Sequence, residues 1–288
     1  MSVCNACPRN CGIDRSVSIG ICGESNTVRV ARIAPHYWEE PCISGKNGSG
    51  TVFFSGCALK CVFCQNKNVS HGYIGNEIST AALCDEFLRL ESIGVNNINL
   101  VTPSHFAPQI IKAASLAKKH GLHLPFLWNS SGYEKVETIK MLDGIIDIYL
   151  PDFKYKSGIL SKKYSGAADY FEIACEALSE MKRQASENIF KKSIMQRGVI
   201  VRHLVLPGCT DDSLDVLDYL FDTYKNHIYY SIMSQYTPFG EALPDELSRK
   251  VTDVEYQRVT SYAELLGIKN GFFQQGEAAS ESFIPLFG

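Results

Sequence analysis

The sequence predicts an α/β fold, a partial (β/α)6 TIM barrel with a small Cys-rich N-terminal extension. Three observations carry this: six short apolar runs, helical patterns between them, and four cysteines within the first 22 residues. The runs fall at residues 51–55, 97–101, 124–128, 145–150, 199–206 and 228–232. Strands that are apolar almost throughout, with crossover helices between them, belong to a parallel sheet covered on both faces. Ser79 can cap a helix whose Leu83, Phe87 and Leu90 share one face and whose end is marked by Gly94, and Pro108 sits near the start of another that stops at Gly121. Further helical patterns cover 134–142, 169–185, 212–224 and 253–266. The expected division is a Cys-rich metal-binding segment over residues 1–45 and the partial barrel over 46–288.

Composition narrows the function classes. With 288 residues, 45% hydrophobic and 20% charged, the chain can bury a large core as one barrel with an appendage. A net charge of −3 provides no global field for nucleic acid or an anionic membrane, so neither is an expected partner. No run of about eighteen apolar residues could span a bilayer, and Met1-Ser-Val-Cys-Asn lacks the order of a signal peptide. A cytoplasmic protein is expected. Eleven cysteines in such a chain point to metal ligands and free thiols rather than disulfides.

Cys57, Cys61 and Cys64 stand at CxxxCxxC spacing directly after Thr51-Val-Phe-Phe. A cubane iron–sulfur cluster normally takes four Cys ligands, so a loop offering three leaves one iron open to a small molecule, whereas structural zinc wants a fourth ligand nearby. Cys4, Cys7, Cys11 and Cys22 make a set of four, which suits a closed site, and Gly12 and Gly23 permit tight backbone beside a metal-bound sulfur. Tetrahedral zinc and an auxiliary [4Fe–4S] cluster both fit that spacing. Cys84 and Cys175 read as small hydrophobes and Cys209 as a loop thiol.

In a barrel of parallel strands the chemistry sits at the C-terminal strand ends. Read in order, those ends carry Thr102 and Ser104, then Asn129-Ser130-Ser131-Gly132, Asp152-Phe153-Lys154, Arg202-His203 and Ser234-Gln235-Tyr236. Asp152 can accept ribose hydroxyls or hold a cation, Lys154 can pair with it, and Arg202 can fork onto a carboxylate. Trp38 with Glu39 and Glu40 is a candidate for the substrate mouth and, equally, for an aromatic joint between the N-terminal segment and the barrel. His36, His71 and His105 have no metal partner at a recognisable spacing.

These residues resemble the radical S-adenosylmethionine (SAM) superfamily, in its branch of PflX-type pyruvate formate-lyase activating enzymes. The resemblance covers nearly the whole chain: CxxCPRxCG and GxCG at the N-terminus, Trp38-Glu-Glu-Pro-Cys42, Thr51-Val-Phe-Phe-Ser-Gly-Cys57, Ile98-Asn-Leu-Val-Thr-Pro103, Tyr149-Leu-Pro-Asp152-Phe-Lys154 and Val201-Arg-His-Leu-Val-Leu-Pro-Gly208. It implies reductive cleavage of SAM at a [4Fe–4S] cluster held by Cys57, Cys61 and Cys64, giving a 5′-deoxyadenosyl radical that abstracts hydrogen from a substrate. It further implies adenine contact beside Phe63 and ribose or cation contacts near Asn129, Ser130 and Asp152; Asn66, Thr102, Ser104, Lys154, Arg202 and Gln235 are further cofactor candidates by their own chemistry and position, Arg202 for the methionyl carboxylate. A flavodoxin or ferredoxin is the implied electron donor.

Two positions depart from the pattern. Thr102-Pro103-Ser104 replaces the usual Gly-Gly-Glu that holds the SAM amino group, and Asn129 replaces the activases' aspartate. Three functions are compatible with the residues: hydrogen abstraction from a protein or peptide, with a glycyl radical enzyme as the leading target; the same chemistry on a small metabolite; and a metal-bound regulatory protein without catalysis. The intact cysteine triplet argues against the third.

Overall fold

The computed structural model describes residues 3–239 and 243–273. Its strands are Arg29–His36 (β1), Ser49–Phe54 (β2), Asn76–Glu77 (β3), Ile98–Val101 (β4), Phe126–Ser130 (β5), Ile148–Pro151 (β6), Ile189–Lys191 (β7), Ile194–Leu204 (β8), Tyr229–Met233 (β9) and Gly271–Phe273 (β10). They form one sheet in the order β10-β9-β8-β6-β5-β4-β2-β1-β3, with β7 paired onto β8. Every pairing from β2 through to β10 along that path is parallel, while β1 runs antiparallel to β2 and to β3. All six expected runs are therefore parallel strands of an open barrel, and β10 extends the run at its far edge. β1 was not expected, because only Val30 in it is buried and its sequence carries no apolar alternation.

The helices are Pro41–Ser44 (α1), Lys67–Ser70 (α2), Thr80–Ser92 (α3), Ala107–Lys119 (α4), Val136–Lys140 (α5), Gly158–Ser165 (α6), Tyr170–Gln184 (α7), Thr210–Tyr224 (α8) and Asp253–Leu266 (α9). Ser79 accepts the Ala82 amide to start α3, whose Leu83, Phe87 and Leu90 are all buried. Thr252 and Glu255 form a reciprocal capping box on α9. Among the described residues no helix is long and apolar enough to cross a membrane.

The two faces of the sheet bury different partners. Phe126, Trp128, Tyr149, Val199 and Val201 join the main core with the helices, and the intervening Leu127, Ile148, Leu150 and Ile200 pack with Cys42 and Ile43 of α1. The period of two along each strand thus places α1 on the concave side, below the C-terminal strand ends. Asn97 Nδ2 donates to the Ile43 carbonyl at 2.9 Å and Asn96 Nδ2 to that of Ser44 at 2.6 Å, which holds this plug in place. The expected boundary between residues 45 and 46 is consequently not a seam. β1 and α1 belong to the barrel by pairing and packing, and the cysteine-rich stretch ends before Arg29. The last part of the expected barrel unit, residues 274–288, lies outside the described residues.

Candidate functional site

Above the plug lies a cavity of about 730 Å³ lined by residues from the C-terminal ends of the parallel strands and from the loop after β2. Gly56 turns that loop at φ +80°; a Cβ there would stand 2.7 Å from the Cys22 carbonyl, so a side chain has no room. Cys57, Cys61 and Cys64 all face the cavity. Ser165 Oγ lies 2.9 Å from Cys61 Sγ, and the Cys57 amide donates to the Cys22 carbonyl at 3.0 Å. Burial pushes the Cys61 thiol up to about 12, and the neighbouring Cys57 and Cys64 raise it further against the pull of Lys154. Three thiols buried this closely are costly as bare thiolates, and a polynuclear metal group relieves that cost by coordinating the sulfurs. The donor set fits a cluster with an open position.

Phe63, between the second and third cysteines, packs edge-on against Tyr155, Tyr164 and Tyr236 at 6.4 Å each, with Lys154 Nζ 6.0 Å from its ring centre. Lys154 Nζ donates to Asp152 Oδ2 at 2.6 Å, and the carboxylate's attraction outweighs the effect of burial, so the ammonium is held charged. Tyr170 Oη donates to the Ser131 and Asp152 carbonyls at 2.8 and 2.9 Å, tying the β5 rim to the β6 rim. Gly132 sits between them at φ +75°, where a Cβ would lie 2.1 Å from the Asp152 carbonyl. Gly132→Ala is expected to destabilise the fold by about 1–3 kcal/mol and to displace the Asp152 rim, visible in thermal unfolding and in the amide spectrum of residues 129–132.

Thr102 adopts φ +56°, a left-handed conformation unfavourable for a β-branched residue. Its amide donates to the Asn129 carbonyl at 2.9 Å, which fixes the strained turn where β4 meets the cavity. Asn129, Ser130, Asn66 and Gln235 also line the cavity, and Gln65 Nε2 donates to the Gln235 carbonyl at 2.8 Å.

Two expected contacts are corrected. Arg202 lines the cavity, but its Nε and Nη2 are already engaged: Nε donates to Glu40 Oε1 at 2.7 Å, and Nη2 to Glu40 Oε2 at 2.6 Å and to Glu39 Oε2. The side chains of Glu39 and Glu40 are 7% and 2% exposed, so this guanidinium is the ion-pair partner of both carboxylates of the cavity floor and offsets one of their two charges, and the methionyl carboxylate is not its partner on that edge. Ser104 turns away from the cavity and donates to Glu134 Oε1 at 2.5 Å. Burial pushes Glu134 up to about 7. Asn99 Nδ2 completes the floor by donating to Glu39 Oε1 at 2.7 Å.

The N-terminal segment lies against the cysteine loop. Cys7 and Cys22 are buried and Cys4 and Cys11 partly exposed, and Cys4 and Cys22 lie close enough to Cys7 to act on it electrostatically. The sulfurs of Cys22 and Cys11 flank Gly20, 3.1 and 3.8 Å from where its Cβ would be. Among the described residues no three His, Cys, Asp or Glu side chains converge on a single-ion site. Arg9 Nε donates to the Ala58 carbonyl at 2.8 Å, inside the Cys57 to Cys64 loop, and Arg9 Nη2 to that of Ser165 at 2.7 Å. Neither arginine partner nor Ser165 was foreseen, since nothing in the local sequence marks contacts across such separations. His105, given no role by its sequence, is neutral: burial pulls it down to about 3, and its Nε2 hydrogen-bonds the Ser55 carbonyl.

No protein-family profile matches the chain. It is 28% identical over 272 residues to an uncharacterised protein of Methanocaldococcus jannaschii, covering 91% of this chain and 74% of that protein. It is 26% identical over 185 residues to the pyruvate formate-lyase-activating enzyme of Clostridium pasteurianum, covering 60% and 68%. Among solved structures it is similar to native anSMEcpe with bound AdoMet (TM-score 0.51, 12% identity, 73% of this chain and 57% of that one) and to methylornithine synthase, PylB (0.52, 13%, 75% and 62%). A third is Streptococcus suis SuiB bound to precursor peptide SuiA (0.51, 11%, 77% and 47%). What these structures share with the chain is the fold. The chain spans between 47% and 62% of their lengths.

Proposed function

We propose that this chain is a radical SAM enzyme acting on a polypeptide. The observation that carries the reading is the cavity itself, which gathers the three cysteines, Phe63 and the rim residues Asn129, Ser130, Asp152 and Lys154 around one space at the C-terminal strand ends. When bound, a [4Fe–4S] cluster with one open iron supplies the electron that reductively cleaves SAM. Cys57, Cys61 and Cys64 are its ligands, and Ser165 steadies Cys61 through its hydrogen bond to the sulfur.

Phe63 offers an apolar surface beside the adenine. Asp152, fixed by Lys154, accepts from ribose hydroxyls, and the Thr102 to Asn129 turn supplies polar groups for the methionyl end, where Arg202 is reserved for the floor. The N-terminal cysteines form a second metal site. The similarity to the Clostridium pasteurianum activating enzyme, and the fold shared with a peptide-bound SuiB, support a polypeptide target, with a glycyl radical enzyme as the leading candidate.

Asp152→Asn is expected to weaken SAM binding by about 1.5–3 kcal/mol, the scale of a lost charge-assisted hydrogen bond, as read by calorimetry on the anaerobically reconstituted protein. An unchanged dissociation constant with the fold intact removes Asp152 from the site. Electron paramagnetic resonance on mixtures of protein, reductant, SAM and candidate polypeptides tests the target. A small metabolite exchanging label with 5′-deoxyadenosine, while no polypeptide acquires a radical or modification, overturns it.

A further inference from the structure

The floor of the cavity is one cation short. Glu39 and Glu40 both form their ion pairs with Arg202, so two carboxylates face a single guanidinium and one negative charge stays unmatched inside the barrel. Lys154 does not make up the difference, because Asp152 engages its ammonium at the rim. Nor does His36, which also lines the cavity: burial pulls its imidazole below the ordinary value, and that favours the neutral ring. An uncompensated interior charge is costly, and a ligand of opposite sign removes the cost.

A second observation names the kind of group that completes this floor. Asn99 is fully buried on the concave side of β4, where its register partner Leu127 packs with α1. Its Nδ2 donates to Glu39 Oε1 at 2.7 Å, and because a carboxylate only accepts, the orientation of the amide is fixed. Its Oδ1, beside that contact, is buried with no hydrogen-bond partner. An orphaned acceptor calls for a donor. A donor that also carries positive charge, an ammonium or a guanidinium, answers both the Asn99 oxygen and the unmatched carboxylate. Depth sets this place apart from the rim residues assigned to SAM: Asn99 lies three residues before Thr102 on the same strand, about 10 Å further down. Reaching it from the mouth takes a long apolar stem with its charge at the tip, which lysine and arginine side chains have.

We propose that the polypeptide acted on by this chain presents a lysine or arginine side chain to the barrel interior, where its cationic tip pairs with Glu39 and donates to Asn99 Oδ1. This rests on the reading of the cavity as a radical SAM site for a polypeptide. Glu39 and Asn99 are then specificity residues. A neutral side chain at the same place leaves the floor charge unmatched, and an acidic one adds repulsion to it, so both are rejected.

The first test uses the full chain and needs neither cluster nor SAM. n-Butylammonium and n-butylguanidinium are expected to bind about tenfold more tightly than 1-butanol in an NMR titration, and to shift the Asn99 side-chain amide signal. The peptides N-acetyl-Gly-Lys-Gly-amide and N-acetyl-Gly-Arg-Gly-amide should show the same preference over N-acetyl-Gly-Gln-Gly-amide. Glu39→Gln leaves Glu40 and Arg202 matched one to one, and in it the preference should vanish with the fold retained. Neutral probes that bind wild type as tightly as the cations, or an undiminished preference in Glu39→Gln, overturn the proposal. Should the variant not fold, the wild-type comparison decides alone. On the reconstituted protein, SAM should bind Glu39→Gln within about twofold of wild type; a loss of about tenfold overturns the proposal by giving the charge to the ammonium of SAM. Failure of the radical SAM reading appears separately, as reconstituted wild type that cleaves no SAM while the cation preference persists.

Discussion

Cys61→Ser is expected to lose the iron of the cavity site and all SAM cleavage while the chain stays folded. Cys61 is the most enclosed of the three cavity thiols, hydrogen-bonded by Ser165 of α6 and within electrostatic reach of Lys154. A serine hydroxyl fits the same space but is neither as acidic nor as soft as a thiolate, so two sulfurs remain where a cluster with one open iron needs three. Iron and sulfide analysis with quantitation of 5′-deoxyadenosine measures the effect, and circular dichroism controls for the fold. Full iron content and undiminished cleavage in this variant would refute the assignment of Cys57, Cys61 and Cys64.

The second large effect is structural. Arg202→Met leaves Glu39 and Glu40 facing one another in the barrel interior without their cation, and stability should fall by about 3–5 kcal/mol at pH 7 in urea unfolding. The pH dependence has a definite sign. Burial alone would raise the Glu40 carboxyl, but the charge and hydrogen bonds of Arg202 outweigh it and hold the carboxyl below its ordinary value. A carboxyl held low in the folded state adds stability above its unfolded pKa, near 4.3, and that stability is lost as pH falls through the folded value. Wild type should therefore weaken on acidification. In Arg202→Met the uncompensated carboxylates take up protons more readily, so the gap between the two proteins should narrow toward pH 4. Adding Glu40→Gln to Arg202→Met should restore part of the loss. A single variant within about 1 kcal/mol of wild type at pH 7 would mean that the floor is solvated.

The parts of this fold governed by local pattern were legible in the chain. The apolar runs became the parallel strands β2, β4, β5, β6, β8 and β9, and Ser79 capped α3 where the pattern placed it. The cysteine triplet and the rim residues converge on one cavity because strand ends in a parallel barrel all point one way. What escaped was set by partners far along the chain. Arg202 carries a fork suited to any carboxylate, and the sequence gives no sign that Glu40 occupies it. Ser104 looked like a rim hydroxyl until Glu134, buried beside it, provided an acceptor on the other side. β1 has mostly half-buried residues on an antiparallel edge, where neither alternation nor a continuous apolar run is required. α6, which brings Ser165 to Cys61, is short and weakly patterned.

The floor of the barrel also orders events during synthesis. Glu40 lies 162 residues before the guanidinium that neutralises it. At about 5–20 residues per second a ribosome needs on the order of 10–30 s to cover that interval, longer than helices or hairpins take to form. Throughout it the α1 segment must keep its two carboxylates in water, while β2, β4, β5 and β6 emerge with one side of the barrel wall incomplete. The interior ion cluster can close only when β8 arrives. A chain stalled before residue 202 thus lacks the cation that its two interior carboxylates pair with in the finished barrel.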